Sequence, residues 1–231
     1  MNYQNSMGNS MGKSILLLLP FIFVSSVVAE TPKETVNITG QRMEVLEKGE
    51  ITRFLGNVKL FKGKDIITSD IMEHYEKKGR VIGKGNVHVT THPEESITLE
   101  AFSDQLTYDI NRKKSILTGS PQLIRIDEEN PEERIRIEGA IIELFEKEKR
   151  VHVNGDARVE NGEMTAIGKF LDYDYETKKI VLCGEFPHIY QDSEEVKGDY
   201  SAEVITIFTD EQRVIMEGNV RASIYPKNRQ P

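Results

Sequence analysis

The residue types that carry most protein chemistry are present in this chain, but their spacing forms no known catalytic pattern. No histidine belongs to an HExxH motif and no serine to a GxSxG elbow, and no glycine-rich phosphate loop precedes a helix. The five histidines are His74, His88, His92, His152 and His188. Asp172 and Asp174 are of the right type for acid–base catalysis, but their setting indicates the cap of a solvated turn. We therefore expect no enzyme activity and no cofactor.

The acidic and sulfur-bearing residues favour structural interpretations as well. The acidic stretch 127–133 predicts the turn of a long hairpin, with a metal site as the weaker alternative. Cys183 is the only cysteine, so an intrachain disulfide is excluded, and its apolar neighbours predict a buried thiol. His88 and His152 stand at the polar positions of alternating segments, which predicts exposed side chains. We expect no metal site in this chain.

The net charge of the chain argues against nucleic acid as a binding partner. The 231 residues carry a formal net charge of −8, and residues 30–231 alone carry −9 because Lys13 is the one charged residue before them. Nucleic-acid binding requires clustered Lys and Arg against phosphate, so a chain this acidic is poorly suited to it. Its apolar residues are dense and periodic, which excludes a disordered chain. We expect no nucleic-acid partner.

The first 29 residues resemble an export signal. Lys13 supplies a positive charge, Ile15–Val24 is an apolar run, and Val27–Ala29 is a small-residue cleavage context, so we expect cleavage after Ala29. The alternative is an uncleaved membrane anchor. The run is short and contains Pro20, whereas a spanning helix needs about 20 apolar residues.

One sequence unit is repeated six times along the chain, and it supplies the strands that position the apolar residues. Each repeat ends in a glycine, and four of these glycines open a similar continuation: GNVKL, GNVHV, GDARV and GNVRA. The glycines are Gly56, Gly85, Gly119, Gly155, Gly184 and Gly218. A repeat at spacings of 29 to 36 residues indicates one supersecondary unit stacked many times.

Each unit reads as a hairpin. Polar and apolar residues alternate strictly in segments such as Arg150–Val153, which indicates half-buried strands. A charged turn separates two strands, and the glycine marks a bend or bulge. The third and fifth units carry what reads as a slightly longer turn, and the proline that follows them, at 121 and 187, predicts a sheet edge or bulge.

Stacked hairpins with one apolar face must cover that face. A leading strand at Val36–Ile38 and two strands per unit give a dozen or more strands, too many for a flat open sheet. The sequence therefore predicts an all-β fold, an open, elongated and twisted β-jelly roll of two facing antiparallel sheets. We assign residues 30–224 to this domain and 225–231 to a C-terminal tail.

The repeat resembles that of the OstA/LptA family of periplasmic lipopolysaccharide-transport proteins. The resemblance rests on the segment GNVKLFKGKDIITSD at 56–70, on GNVHV at 85–89, on 139–184 and on GNVRASI at 218–224, within a span from Val36 to Ile224. It implies a periplasmic, non-enzymatic carrier whose apolar groove shields the acyl chains of lipopolysaccharide on the way to the outer membrane. The implied partners are an inner-membrane-anchored relative of the same fold, the N-terminal domain of the outer-membrane translocon, and further copies of the chain arranged head to tail.

The inward positions of the repeated strands are the candidate groove. They are Val36, Ile38, Phe54, Val58, Leu60, Val87, Val89, Leu106, Tyr108, Ile124, Ile142, Leu144, Val151, Val153, Leu171 and Tyr173. Alternation alone leaves two readings of these residues, a ligand groove or an ordinary packed core. Two other functions stay open at this point: an inner-membrane-anchored relative of the same transport system, and a structural exported domain that scaffolds envelope proteins.

Overall fold

A computed structural model describes residues 36–131, 134–193, 196–211 and 213–226. The expected signal segment 1–29 and residues 227–231 of the expected tail lie outside this part of the chain. Within it there are eighteen β-strands, one 3-10 turn at Glu47–Gly49 and no α-helix. No helix in these ranges has the length and hydropathy needed to span a membrane.

The strands follow one another along the chain as the repeat predicts. They are β1 (Val36–Thr39), β2 (Arg42–Leu46), β3 (Ile51–Lys62), β4 (Asp65–Tyr75), β5 (Arg80–Glu94), β6 (Ile97–Asp109), β7 (Lys114–Thr118), β8 (Gln122–Asp127), β9 (Ile135–Glu138), β10 (Ile141–Phe145), β11 (Arg150–Asn161), β12 (Met164–Asp174), β13 (Lys179–Cys183), β14 (His188–Asp192), β15 (Val196–Ser201), β16 (Val204–Phe208), β17 (Arg213–Glu217) and β18 (Arg221–Pro226). The strand β18 includes the first two residues of the expected tail.

All strand pairs are antiparallel, and six long strands contribute to two sheets. The strands β3, β6, β11 and β12 each exchange one neighbour at a bend, whereas β4 and β5 keep the same neighbours and only shift register there. Sheet A runs in the order β2, β3, β4, β5, β6, β7, β10, β11, β12, β13, β16, β17. Sheet B runs in the order β1, β3, β4, β5, β6, β8, β9, β11, β12, β14, β15, β18. This is the expected all-β jelly roll of two sheets built from stacked hairpins.

The bend between the sheets lies at the repeated glycines, as predicted. Gly155 has φ of 78° and the next residue, Asp156, has φ of 50°, and the pairing of β11 with β12 shifts between Asn154 and Ala157. The other five glycines and the residues that follow them also have positive φ. Glycine adopts the left-handed region without steric cost, and Asn and Asp tolerate it better than other residues. The Gly-Asn or Gly-Asp pair is therefore a two-residue bulge that turns a strand from one sheet into the other.

One detail of the repeat differs from the prediction. The turns of the third and fifth units are not longer, because the first five units all join their strands through four residues, for example 76–79 and 110–113. Pro121 and Pro187 lie at the glycine bulges, in the unpaired breaks just before β8 and β14, as the sequence predicts. Proline lacks the N–H that a ladder requires, so the strand begins after it. The acidic stretch 127–133 joins the hairpin β8–β9 as predicted, with residues 132–133 outside the described ranges.

Candidate functional site

The inner faces of the two sheets form the candidate site, because they carry the largest continuous set of apolar side chains. Two rows of cross-strand neighbours run the whole length of the molecule. Row A, on sheet A, is Met43, Phe54, Met72, Gly83, Leu106, Leu117, Ile142, Val153, Leu171, Leu182, Ile205 and Met216. Row B, on sheet B, is Ile38, Leu60, Ile67, Val89, Ala101, Leu123, Ile137, Val159, Ala166, Ile189, Tyr200 and Ala222.

The rows are closed in the middle of the molecule and uncovered at its ends. Ile142 in the middle of row A has no exposed surface, whereas Met43 at the end of the same row is 58% exposed. The neighbouring inward positions of the edge strands are uncovered too, as at Val45 in β2, Val214 in β17 and Ile224 in β18. Burial thus depends on whether a strand has neighbours on both sides.

Most of the sequence-predicted groove residues lie on these inner faces. Eleven belong to the buried core: Val58, Leu60, Val87, Val89, Leu106, Tyr108, Ile142, Val151, Val153, Leu171 and Tyr173. Four more, Val36, Ile38, Phe54 and Leu144, are partly buried and pack against it. The structure thus brings fifteen of the sixteen into one continuous cluster.

Ile124 is the exception, and its predicted inward orientation is wrong. In β8 it pairs with Glu100 on one side and Arg136 on the other, whereas Leu123 pairs with Ala101 and Ile137 of row B. Adjacent residues of a strand point to opposite faces, so only one of two consecutive apolar residues can face the interior. Leu123 is that residue, and Ile124 is buried on the outer face.

A small cavity lies between the two sheets near the middle of the molecule. Its volume is about 40 Å³, room for a few water-sized groups and far less than an acyl chain. Its lining comes from both inner faces: Val89, Thr91, Leu99, Ala101, Leu106, Ser115, Leu117, Leu123, Leu144 and Glu146. The interior is therefore packed in this state, and the one acidic side chain of the lining is Glu146.

Glu146 reaches this cavity from the turn after β10. Burial raises the pKa of its carboxyl, opposed by a hydrogen bond from the Tyr108 hydroxyl and by the charges of Lys113 and Lys62. Its Oε2 is buried without a hydrogen-bond partner among the described residues. Burial, followed by the Glu146 carboxylate, raises the pKa of Tyr108, which stays a neutral donor. Glu146, the first residue of the turn, is thus partly buried, with one carboxyl oxygen enclosed in the interior.

The residues singled out for chemistry are structural. Asp174 accepts hydrogen bonds from the Thr177 backbone, which lowers its pKa and confirms a turn cap. Asp172 instead lies within β12 and pairs with Arg150 at 2.8 Å and His152 at 2.9 Å, so its assignment to a turn was wrong. No group of three or more metal-ligating side chains occurs in the described ranges.

The remaining predicted side chains lie on the outer faces. His88 stacks on Phe102 with ring centroids 4.3 Å apart, and both it and His152 are half-buried rather than fully exposed. Cys183 is half-buried on the outer face of β13, opposite Phe170, so the expectation of a buried thiol was wrong. The alternation places Leu182, not Cys183, in the interior.

The most buried carboxylate on an outer face is also structural. Glu73 accepts hydrogen bonds from Arg53 at 2.8 Å and from Lys84 and Tyr75 at 3.0 Å. Burial alone would raise its pKa, but these donors hold it below the ordinary range. A carboxylate with three donors is satisfied, so this cluster anchors sheet A near its N-terminal edge.

Fold and site together define a class: an elongated antiparallel jelly roll whose apolar interior runs from one uncovered edge to the other. The sequence profile of the family described as LptA/(LptD N-terminal domain) LPS transport protein matches residues 37–179. The chain belongs to this family, whose members are transport components. The strands continue the same architecture beyond the matched region, through β18.

Comparison with solved structures gives a further match. The crystal structure of LptH, the LptA homologous periplasmic component of the lipopolysaccharide transport device from Pseudomonas aeruginosa, shares 13% identity over 86% of this chain and 96% of that chain, with a TM-score of 0.29. The two chains superpose only loosely, and the fold of this chain is defined by its own strand pairings. Comparison with curated protein sequences finds no match.

Proposed function

We propose that this chain carries lipopolysaccharide across the periplasm by enclosing its acyl chains between the two sheets, without catalysis. The supporting observation is the continuity of row A and row B from one edge to the other, with no polar side chain in row A. Each CH₂ group removed from water is worth about 0.8 kcal/mol, so an apolar interior holds an acyl chain without any specific chemistry.

Lipid entry requires the packed sheets to part, and the fold offers one side for this. Long strands join the sheets through the glycine bulges, so that side acts as a hinge. The hairpin turns lie on the opposite side, where the sheets meet through side chains such as Glu146. Separation at the turns breaks no backbone hydrogen bond within either sheet. We infer that acyl chains enter there.

The edges are suited to head-to-tail assembly with other jelly rolls. Each sheet contains twelve strand segments with alternating directions, so β2 of a second copy would meet β17 antiparallel, and β1 would meet β18 antiparallel. Such pairing satisfies unpaired edge groups and covers Met43, Val45 and Ile224. The same edges would accept an inner-membrane-anchored relative at one end and the N-terminal domain of an outer-membrane translocon at the other.

This function places the mature chain in the periplasm, with the signal segment removed after Ala29. An anchored member of the same system would retain that segment. N-terminal sequencing of the exported protein separates the two: a mature start at Glu30 supports the free carrier, and an intact N-terminus supports the anchored relative.

A photo-crosslinking experiment in cells tests the carrier directly. Benzoylphenylalanine is introduced at the inward positions Phe54 and Leu144 and, as matched controls, at the outward positions Lys59 and Glu143. The carrier predicts crosslinks to lipopolysaccharide from the inward pair and few from the outward pair. Crosslinks from the outward pair alone would contradict it.

A structural scaffold is the second candidate, and the packing of the interior favours it. Residues such as Tyr108, Ile142 and Leu182 have no exposed surface, and the cavity of about 40 Å³ is too small for an acyl chain. A scaffold needs no opening of the sheets. It predicts no lipid crosslinks from Phe54 or Leu144, while crosslinks to proteins appear at the edge strands.

A further inference from the structure

Among the described residues, the interior contains a carboxyl group that neither packing nor a purely apolar lipid explains. Glu146 lies in the turn after β10, and its carboxyl group lines a cavity whose other walls are mainly aliphatic. The carboxyl group accepts a hydrogen bond from the Tyr108 hydroxyl, while its Oε2 is buried without a hydrogen-bond partner among the described residues. Buried acceptors in folded proteins are normally paired, so an unpaired one beside a cavity points to a ligand donor.

The position of this acceptor along the groove is defined by the fold. The turn 146–149 lies on the side opposite the glycine bulges, where we infer that lipid enters. Leu106, Leu117 and Leu123 line the cavity deeper between the sheets. A donor that reaches Glu146 therefore sits close to the lipid head, with the hydrocarbon tail extending inward past the leucines.

We propose that Glu146, held by Tyr108, is a specificity site that binds a hydroxyl group carried near the head of an acyl chain. This inference rests on the proposed carrier function and names the kind of chain that the interior prefers. The hydroxyl donates to Oε2, and the neighbouring Ser115 completes the polar end of the cavity. Apart from the hydroxyl groups of Thr91 and Ser115 the lining is aliphatic, so Glu146 is its one charged acceptor and the preference depends on it.

The test is a pair of matched soluble probes. Affinities of the purified chain are measured by calorimetry for N-tetradecanoyl-glucosamine and for N-(3-hydroxytetradecanoyl)-glucosamine, which differ by one hydroxyl. A hydrogen bond to a charged or acidic group is worth enough to give about a tenfold preference for the hydroxylated probe. Glu146→Leu should remove the preference while binding of the plain probe is retained or strengthened. Glu146→Gln, which keeps an acceptor, should retain part of it.

The control is Glu148→Leu, because Glu148 lies in the same turn but is exposed. It should leave the preference unchanged, and thermal melting of each variant checks that the fold persists. Equal binding of both probes by the unaltered chain overturns the specificity site while the carrier stands, and then the cavity holds a structural water only. Binding of neither probe, together with no lipid crosslinks from Phe54 and Leu144, overturns both proposals.

Discussion

The middle of the interior and its two ends are built from the same alternating pattern, yet they differ in what covers them. Ile142 and Val151 in the middle have no exposed surface, because strands lie on both sides and the second sheet lies above. Met43 and Val45 at the N-terminal edge and Ile224 at the C-terminal edge face the same way but are about half exposed or more. Large exposed apolar patches on a protein surface mark interaction sites.

The difference shows that position in the stack, rather than residue type, decides the role of an inward side chain. A middle residue contributes to the free energy of folding and can contact ligand only when the sheets part. An end residue contributes little to folding, because it lacks a neighbouring strand. It is available to a second jelly roll, because the edge strands of the two copies would meet in antiparallel orientation.

The largest expected effect is a charge in the middle of the interior. Ile142→Asp places a carboxylate where no surface is exposed, and an unpaired buried charge costs about 3–5 kcal/mol. Thermal melting should show a loss of roughly 10 °C or more, or no folded protein. Ile141→Asp, its neighbour on the outer face and 37% exposed, should cost about 1 kcal/mol or less. Similar losses for both variants would contradict the assignment of the two faces.

The next effect concerns the bend. Gly155→Ala puts a Cβ at 3.0 Å from the Ala140 Cβ in a backbone with φ of 78°, and strain of this kind costs about 1–3 kcal/mol. Gly218→Ala has almost the same φ of 76° and brings its Cβ to 2.9 Å from the Glu203 Cβ, but it lies beside the edge strands, where the backbone can shift locally. We expect Gly155→Ala to lower the global stability more in urea unfolding.

Gly218→Ala should instead appear in hydrogen exchange as faster exchange confined to β17 and β18, since an edge can open locally. A global loss as large as that of Gly155→Ala would show that the end folds as tightly as the middle. The two variants therefore measure how far the cooperative core extends toward the C-terminal edge.

Much of this architecture could be predicted from the sequence, and the failures share a cause. The six glycines and the period of two predicted the bends, the hairpins and the two sheets. Ile124 was misplaced because Leu123 and Ile124 are consecutive apolar residues, and alternation does not say which one faces inward. Cys183 was misplaced for the same reason beside Leu182. Glu146 gave no signal, because its burial comes from the opposite sheet.

A smaller effect on stability, with a large effect on assembly, is expected at the ends. Val45→Asp adds a charge to a side chain that is 49% exposed, so the free energy of unfolding should change by about 0.5 kcal/mol or less. Sedimentation should show that head-to-tail association is lost. Asn37→Asp, which adds the same charge to the outward side of the neighbouring edge strand β1, should associate as the unaltered chain does.

A mixture of two variants tests more sharply whether the N-terminal edge of one copy pairs with the C-terminal edge of the next. Ile224→Asp blocks the C-terminal edge and leaves the N-terminal edge intact, whereas Val45→Asp does the reverse. Each variant alone should be monomeric, and an equimolar mixture should form dimers and nothing larger. Association of either variant alone would mean that like edges pair with each other.

The smallest effect is a dependence on pH that belongs to the middle alone. The pKa of Glu146 is raised in the folded chain by burial, so the folded state binds its proton more tightly than the unfolded state does. Stability from this group is present below the ordinary carboxyl pKa and is lost as pH rises through the raised value. Glu73 and Asp174, with lowered pKa values, act in the opposite direction, and the stability that they contribute is lost as pH falls.

Only the difference between the unaltered chain and Glu146→Gln isolates the interior group. That difference in melting temperature should therefore shift against the unaltered chain as pH rises above the ordinary carboxyl range. Glu148→Gln, in the exposed part of the same turn, is the matched control for the loss of a charge there. A difference for Glu146→Gln that does not change with pH would mean that its carboxyl is solvated and that the sheets already part at the turns.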